Sequence, residues 1–421
     1  MPSDKPSVLF LNRSYWPDSE ATGQLLTDLC EGLVADFDVE VMSGRPNSVS
    51  SATTEPWQTM SQRNQVRIRR LKHLTLPKRR LALKALNYCS FVQSARRELK
   101  FIPRPDVVVF ETDPFLLAFE ADRLRRRTGC QLIGYLQDIY PDVAIATGKI
   151  RDNWLVKKLS KSLFKVYRAC DRVVVLSRDM SQLLIDRGVD PERIEIIPNW
   201  ADTDTIRPIE THSEFRARHG LLNAFVVMYS GNMGLTQRLT EFIDAARLTR
   251  DDSEIVYLFI GEGAQKADLQ RMVAQEGLSN VRFLGYQPRE HLAESLGAAD
   301  LHLIPLTREC SRCLMPSKLY GVLAAGRAYL TNAVPGTELH DLTVAHETGF
   351  VVPTQDPAAI AQAIRIAKAT PDRLKQMGQN GRNLAMQQYT RTVCITAFSR
   401  MLQKVLGLDY SARTMPMAVK C

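Results

Sequence analysis

The chain has 421 residues, with 55 Lys and Arg against 46 Asp and Glu, a formal net charge of +9. Its 45% hydrophobic and 24% charged content is that of a folded globular chain and excludes a disordered, collagen-like or disulfide-scaffold protein. No apolar run reaches the ~18 residues of a membrane-spanning helix, and the length suits about two domains.

The polar start MPSDKP leads directly into a short strand, SVLFLN. It lacks the basic start, longer apolar stretch and small-residue cleavage site of a secretory signal, so a cytosolic chain is expected. A helix is predicted from about Gly23, and VEVMSG reads as the next strand. From Ser61 to Lys100 there are twelve Lys and Arg and one acid, Glu98, so this stretch alone carries +11. It also contains Leu81, Leu83, Leu86, Tyr88, Phe91 and Val92. A basic helix with an apolar side suits anionic lipid head groups, so residues 63–100 are the expected contact with a membrane surface. The alternatives are a solvated helix with a core-facing side, or a nucleic-acid surface; no nucleic-acid partner is expected.

RIRRL, VVVFE, LIGYLQ and RVVVLS follow as strands with helical patterns between them. Between Trp154 and Arg168, Lys157, Lys158, Lys161, Lys165 and Arg168 recur at helical spacing, which puts them roughly on one side. After IEIIPNW, the polar stretch Ala201–Leu222 reads as a linker, and its Asp202-Thr203-Asp204 as solvated rather than metal-binding. A second alternation begins with FVVMYSG, IVYLFIGEG, VRFLGY, DLHLIPL, RAYLTN and FVVP. Short apolar strands alternating with helices indicate parallel sheets covered on both faces. The expected fold class is therefore α/β, with two Rossmann-like doubly wound domains facing a cleft. The boundaries are 1–205, 206–390, and a terminal helix and tail, 391–421, expected to pack back on the N-terminal domain.

Glycines after strands let a backbone approach a phosphate. Two such turns occur, at Gly231-Asn232-Met233-Gly234 and at Gly261-Glu262-Gly263. Neither domain shows the GxGxxG or GxxxxGK[ST] fingerprint, which argues against NAD and P-loop chemistry. In Met315-Pro316-Ser317-Lys318-Leu319, Ser317 is placed to cap a helix whose first turn holds Lys318. A cation there opposes the helix dipole, so a bound anion is the natural explanation, with a plain surface lysine as the alternative. His291 and His302 read as structural. The eight cysteines are scattered, apart from Cys310 and Cys313, and no second pair completes a zinc site.

PSKLYGVLAAGR, YSGNMG, GEG, FLGYQP and VVVLS…IEIIPNW together resemble the retaining family-4 glycosyltransferases of the GT-B fold. The nearest subgroup assembles O-antigen, colanic acid and capsule, and often shows a turn like Gln137-Asp138-Ile139-Tyr140-Pro141. The resemblance implies a nucleotide-sugar donor, expected to be a UDP-sugar, bound mainly by the second domain without a cofactor or metal. Its diphosphate would meet the backbone N–H groups of Gly231–Gly234 and the helix start at Ser317, Lys318 and Leu319, with Lys318 the leading cation. The base and ribose would lie by Gly261, Glu262, Gly263 and Tyr286. Glu338 resembles a family glutamate near the donor. A glycan or polyprenyl-linked acceptor would enter past Thr22 and Gly23 and the Asp138 turn.

The sequence departs from the family at the usual diphosphate clamp, where Asn232 and Gln237 replace an Arg and a Lys. Cys313 and Gly321 replace two glutamates. Arg238, Arg308, Arg312 and Arg327 are the candidate replacements for the missing charge. Asp138 would orient the acceptor or stabilise an oxocarbenium-like sugar, unless it only caps its turn. The expected place of action is the inner face of the cell membrane. The competing readings are a nucleotide-sugar 2-epimerase and a non-catalytic, membrane-bound partner in polysaccharide assembly.

Overall fold

The computed structural model describes residues 5–408, apart from 19, 47–59, 77–80, 210–212 and 235–236. The first lobe runs β1 (Ser7–Leu11), α1 (Ala21–Leu33), β2 (Asp38–Ser43), β3 (Met60–Arg63), β4 (Val66–Arg70), α2 (Leu81–Glu98), β5 (Val107–Phe110) and α3 (Leu117–Thr128). It continues with β6 (Gln131–Tyr135), α4 (Asp142–Ala146), α5 (Trp154–Ala169), β7 (Arg172–Val175), α6 (Arg178–Asp186) and β8 (Ile194–Ile196). The second lobe runs α7 (Glu214–Arg218), β9 (Phe225–Ser230), α8 (Thr240–Leu248), β10 (Ile255–Ile260), α9 (Lys266–Glu276), β11 (Val281–Leu284) and α10 (Leu292–Gly297). It ends with β12 (Leu301–Leu303), α11 (Lys318–Ala324), β13 (Tyr329–Thr331), α12 (Glu338–Ala345), β14 (Gly349–Val351), α13 (Pro357–Ala369) and α14 (Pro371–Gln388). A last helix, α15 (Arg391–Val405), follows.

Two sheets result, ordered β3-β4-β2-β1-β5-β6-β7-β8 and β11-β10-β9-β12-β13-β14. The strands pair in parallel except β3 with β4, a hairpin at the edge of the first sheet. The central strands β5 and β10 are buried along their whole length, as strands covered by helices on both faces must be. Strand order reverses beside β1 and β9, so the carboxyl ends of these central strands open a crevice in each lobe.

The chain crosses between the lobes twice, side by side. The Ala201 N–H donates to the Tyr389 carbonyl at 3.1 Å, and Ala201 and Thr390 form a β-bridge. Beyond the second crossing, α15 lies on α1. Phe398 packs on Phe10 and Tyr135, and the Ser399 hydroxyl donates to Asp36 at 2.9 Å. Burying Phe398, Met401 and Leu402 ties the terminal helix to the first lobe, at roughly 1.5–3 kcal/mol per buried side chain. The tail beyond residue 408 lies outside the described residues.

Among its described residues, the basic stretch 63–100 contains the end of β3, the strand β4 and the helix α2. Parallel pairing of β2 with β4 sets Glu40 beside Arg67. Arg67 then pairs with Asp38 and Glu40, Arg69 with Glu40 and Glu98, and Arg63 with Glu31. Arg70 is buried and donates to the Trp16 carbonyl at 2.6 Å. Lys78, Arg79 and Arg80 lie outside the described residues. Phe91 is fully buried, so part of the expected lipid-facing side is core.

By contrast, α5 shows a clean division. Leu163, Phe164, Val166 and Tyr167 face the core, while Lys157, Lys158, Lys161, Lys165 and Arg168 face solvent. Trp154 is 70% exposed and Leu155 56%. No helix among the described residues is long and apolar enough to cross a membrane.

Candidate active site

The glycine turns pack directly on each other. A Cβ on Gly261 would stand 2.1 Å from the Gly231 carbonyl oxygen, and one on Gly263 would stand 2.4 Å from the Met233 oxygen. Gly261 also sits at φ +138°, where side chains are strained. These glycines are therefore fixed by loop-on-loop contact.

That contact uses up the donors expected to cradle a phosphate. The Gly231 N–H donates to the Ile260 carbonyl at 2.9 Å and the Met233 N–H to the Glu262 carbonyl at 2.8 Å. The Gly234 N–H donates to the Gln237 side-chain oxygen at 3.1 Å. The Leu319 N–H donates to the Pro316 carbonyl at 3.1 Å, and its side chain is core. Ser317 makes no capping hydrogen bond, and α11 is only 7 residues long. Four of the N–H groups expected to cradle a phosphate, those of Gly231, Met233, Gly234 and Leu319, are thus bonded within the fold, which puts weight on side chains for positive charge in the cleft.

Lys318 supplies it. Its amine donates to the Tyr229 hydroxyl at 3.0 Å and stands 4.3 Å from the centre of that ring. The Tyr229 hydroxyl in turn donates to the Asn232 carbonyl at 2.6 Å. A Cβ on Gly231 would come within 3.4 Å of the Lys318 Cε, which places the lysine against the first glycine turn. Lys318 keeps a minority of its surface open to the cleft and is otherwise densely surrounded. No carboxylate pairs with it among the described residues. Burial alone pulls its pKa down to about 7.

The other candidate cations divide. Arg238 pairs loosely with Glu309 at 3.7 Å and stays 39% exposed. Arg312 pairs with Asp186 of the first lobe, and Arg327 donates to the Ile209 carbonyl at 2.6 Å. Both are engaged structurally; Arg308 is exposed. Glu262 accepts from the Lys266 amine at 2.6 Å and lies near Tyr286, which is 59% exposed on the cleft rim.

On the facing lobe, Asp138 forms an antiparallel bridge with Leu314, and the Ile139 N–H donates to the Cys313 carbonyl at 2.9 Å. The Asp138 turn therefore meets the segment that leads into Lys318. Burial raises the Asp138 pKa to about 6, with Lys149 acting in the opposite direction. Glu338 stands at the start of α12. Its carboxylate accepts the Arg178 N–H of the first lobe. Gly23 is buried in α1 against Ser14 and Asp18, and Thr22 precedes it.

Sequence reasoning missed two groups. One is Tyr229, which holds Lys318. The other lies at the ends of β1 and β5, where Arg13 pairs with Asp113 at 2.9 Å and with Glu20 at 3.2 Å, and the Ser14 hydroxyl donates to Asp113 at 2.8 Å. The rule that ligands meet the carboxyl ends of parallel strands would have flagged both positions. His302 behaves as expected: it is buried, bonded to the Leu296 carbonyl at 2.9 Å, and held at a pKa of about 4 by burial.

Residues 22–205 match the family model Glycosyltransferase Family 4, and residues 212–384 match Glycosyl transferases group 1. Glycosyltransferase WbjE of Pseudomonas aeruginosa is 25% identical over 72% of this chain and 76% of its own length. The colanic acid biosynthesis glycosyl transferase WcaI of Escherichia coli K12 is 26% identical over 80% of this chain and 85% of its own. Among solved structures, sucrose-phosphate synthase of Thermosynechococcus elongatus superposes with a TM-score of 0.74 at 17% identity, covering 96% of this chain and all (100%) of that one. HepE of Anabaena, solved with UDP-glucose, gives 0.71 at 15% identity over 94% of this chain and 99% of its own. With two doubly wound lobes around a cleft and both family models in register, the chain belongs to the family-4 glycosyltransferases of the GT-B fold, in the group that includes O-antigen and colanic-acid enzymes.

Proposed function

We propose that this glycosyltransferase of cell-surface polysaccharide synthesis takes its sugar from a nucleotide sugar, a UDP-sugar by analogy with HepE, and transfers it with retention to a glycan or polyprenyl-linked acceptor. The observation that carries the reading is Lys318, an amine in the cleft beside Gly231 with no acidic partner among the described residues. When the sugar–phosphate bond breaks, its electron pair and a full negative charge pass to the diphosphate. A fixed ammonium in a closed, dry cleft stabilises that charge without reorganisation. The acceptor hydroxyl attacks on the face that the diphosphate leaves, and its proton passes to a phosphate oxygen. Ionised Asp138 faces the developing oxocarbenium-like sugar. A thermal-shift screen over UDP-, GDP-, dTDP- and ADP-sugars tests the donor. A true donor raises the melting temperature by binding the native state, and no shift with any of them counts against the reading.

The two groups titrate in opposite senses, which gives a pH prediction. Asp138 is charged only above about 6, and Lys318 only below about 7. The kcat/KM profile is expected to be a narrow bell between those values. In Lys318→Arg the alkaline limb disappears, because guanidinium stays charged. An alkaline limb unchanged in that variant removes Lys318 from the profile.

For membrane contact at the inner face, the exposed side of α5 supports the reading better than residues 63–100, whose strand arginines are paired. Lys158, Lys161 and Lys165 have no ion-pair partner among the described residues, and Trp154 stands at the head of their helix. Anionic vesicles are expected to bind at low salt and release as salt rises. Reversing the three lysines to Glu should weaken binding at least about 100-fold, at about 1 kcal/mol for each basic residue lost. Equal binding to neutral and anionic vesicles in a flotation assay would contradict the assignment.

A further inference from the structure

One flank of the cleft is fastened, and its fastening has an unusual form. The turn after β6 and the last residue of α6 meet the segment between β12 and α11 through the Asp138–Leu314 bridge, the Ile139–Cys313 hydrogen bond and the Arg312–Asp186 pair. Beside them, α6 and α12 face each other start to start. The first N–H of α6, on Arg178, donates to the Glu338 carboxylate. The first N–H of α12, on Glu338, donates to the Asp179 carboxylate at 2.9 Å. Helix starts leave N–H groups without internal partners and carry partial positive charge, so each carboxylate satisfies a donor and complements a dipole in the other lobe. Ser177 already caps α6 within its own lobe, through the Met180 N–H at 3.2 Å. In α12 the corresponding residue, Thr337, makes no capping bond. The Arg178 guanidinium adds Asp341 at 3.1 Å. The Glu338 carboxylate is mostly buried, at 18% exposure.

We propose that Asp179 and Glu338, each capping the other's helix, form the fulcrum that sets the angle between the lobes. They are positioning residues: they hold the fastened flank, so that movement of the lobes opens or closes the opposite flank, where the Gly231 and Gly261 turns stand. The consequence for Lys318 rests on the donor reading above. The fulcrum itself needs no substrate, so it can be tested without one.

The test is an electron–electron distance measurement on the full chain without ligand. Spin labels sit on Cys89, the exposed native thiol of α2, and on α9 through Asp268→Cys, in a Cys421→Ser background. The remaining described cysteines are buried. The unmodified fulcrum should give one narrow distribution. Asp179→Ala and Glu338→Ala should each at least double its width, and the double variant should be no wider than either single, because the two caps act as one contact. Arg178→Ala should widen it less than either alanine single, since the capping donor is its backbone N–H and only its exposed guanidinium pairs with Asp341 and Glu338 are lost. Glu338→Asp, which keeps an acceptor at the same place, covers the case in which the alanine variant does not fold, and it should give an intermediate width. Widths equal to the parent in the alanine singles, or additive in the double, would overturn the proposal. Failure of nucleotide binding would leave these distances as they are and would refute only the donor reading.

Discussion

Replacing Lys318 with alanine is expected to lower kcat by about 10²–10³-fold, roughly 3–4 kcal/mol of barrier, the scale of losing one preorganised donor to a developing anion. The melting temperature should hardly move. The lysine's packing on the Tyr229 ring contributes only about 0.5–2 kcal/mol, and its removal also relieves the cost of crowding into the cleft an amine that has no carboxylate partner among the described residues. The contrast between a large kinetic and a small structural effect separates this role from a packing role. Steady-state kinetics beside a thermal melt measures both. A variant with the parent's turnover number would show that another group carries the charge, with Arg238 next in line because its pairing with Glu309 is long.

Gly261→Ala is expected to have the larger effect on stability. The new methyl would lie 2.1 Å from the Gly231 carbonyl oxygen, with backbone on both sides of the contact, so no side chain can turn away. Strain at positive φ and overpacking together should cost about 3–5 kcal/mol, which would lower the melting temperature by roughly 10 °C or more. Donor binding should fail with it, because the Gly231 turn that moves is the one against Lys318. Gly336→Ala is the control: it also has positive φ, +83°, but nothing stands within 4 Å of its Cβ. It should lose no more than about 1–2 kcal/mol and keep binding. Equal melting temperatures for the two variants would contradict the loop-on-loop account.

Much of the architecture is legible in the sequence, because short β-branched runs between helical patterns leave few alternatives to parallel sheets in layers. The β3–β4 hairpin was not legible. Its turn is Asn64-Gln65, with φ values of +44° and +68°, without the glycine that usually announces such a turn. Lys318 was legible because a cation at a helix start needs a reason. The commitment of the glycine-turn N–H groups was not, because it depends on how two loops 30 residues apart lie on each other. Summed charge misled for a related reason. Arg67 and Arg69 find Glu40 through strand register, and composition cannot see register. Glu338 resembles a donor-side residue in its motif, yet its partner is the start of α6, in the other lobe.

The most direct test is calorimetric titration of a nucleoside diphosphate against the corresponding monophosphate, in the parent chain and in Lys318→Ala. With UDP and UMP as the first pair, the second phosphate should tighten binding at least tenfold in the parent, about 1.4 kcal/mol, and the advantage should vanish in the variant. Equal affinity for the two nucleotides in the parent, repeated with the guanosine, thymidine and adenosine pairs, would mean that no pyrophosphate sits between Lys318 and the glycine turns.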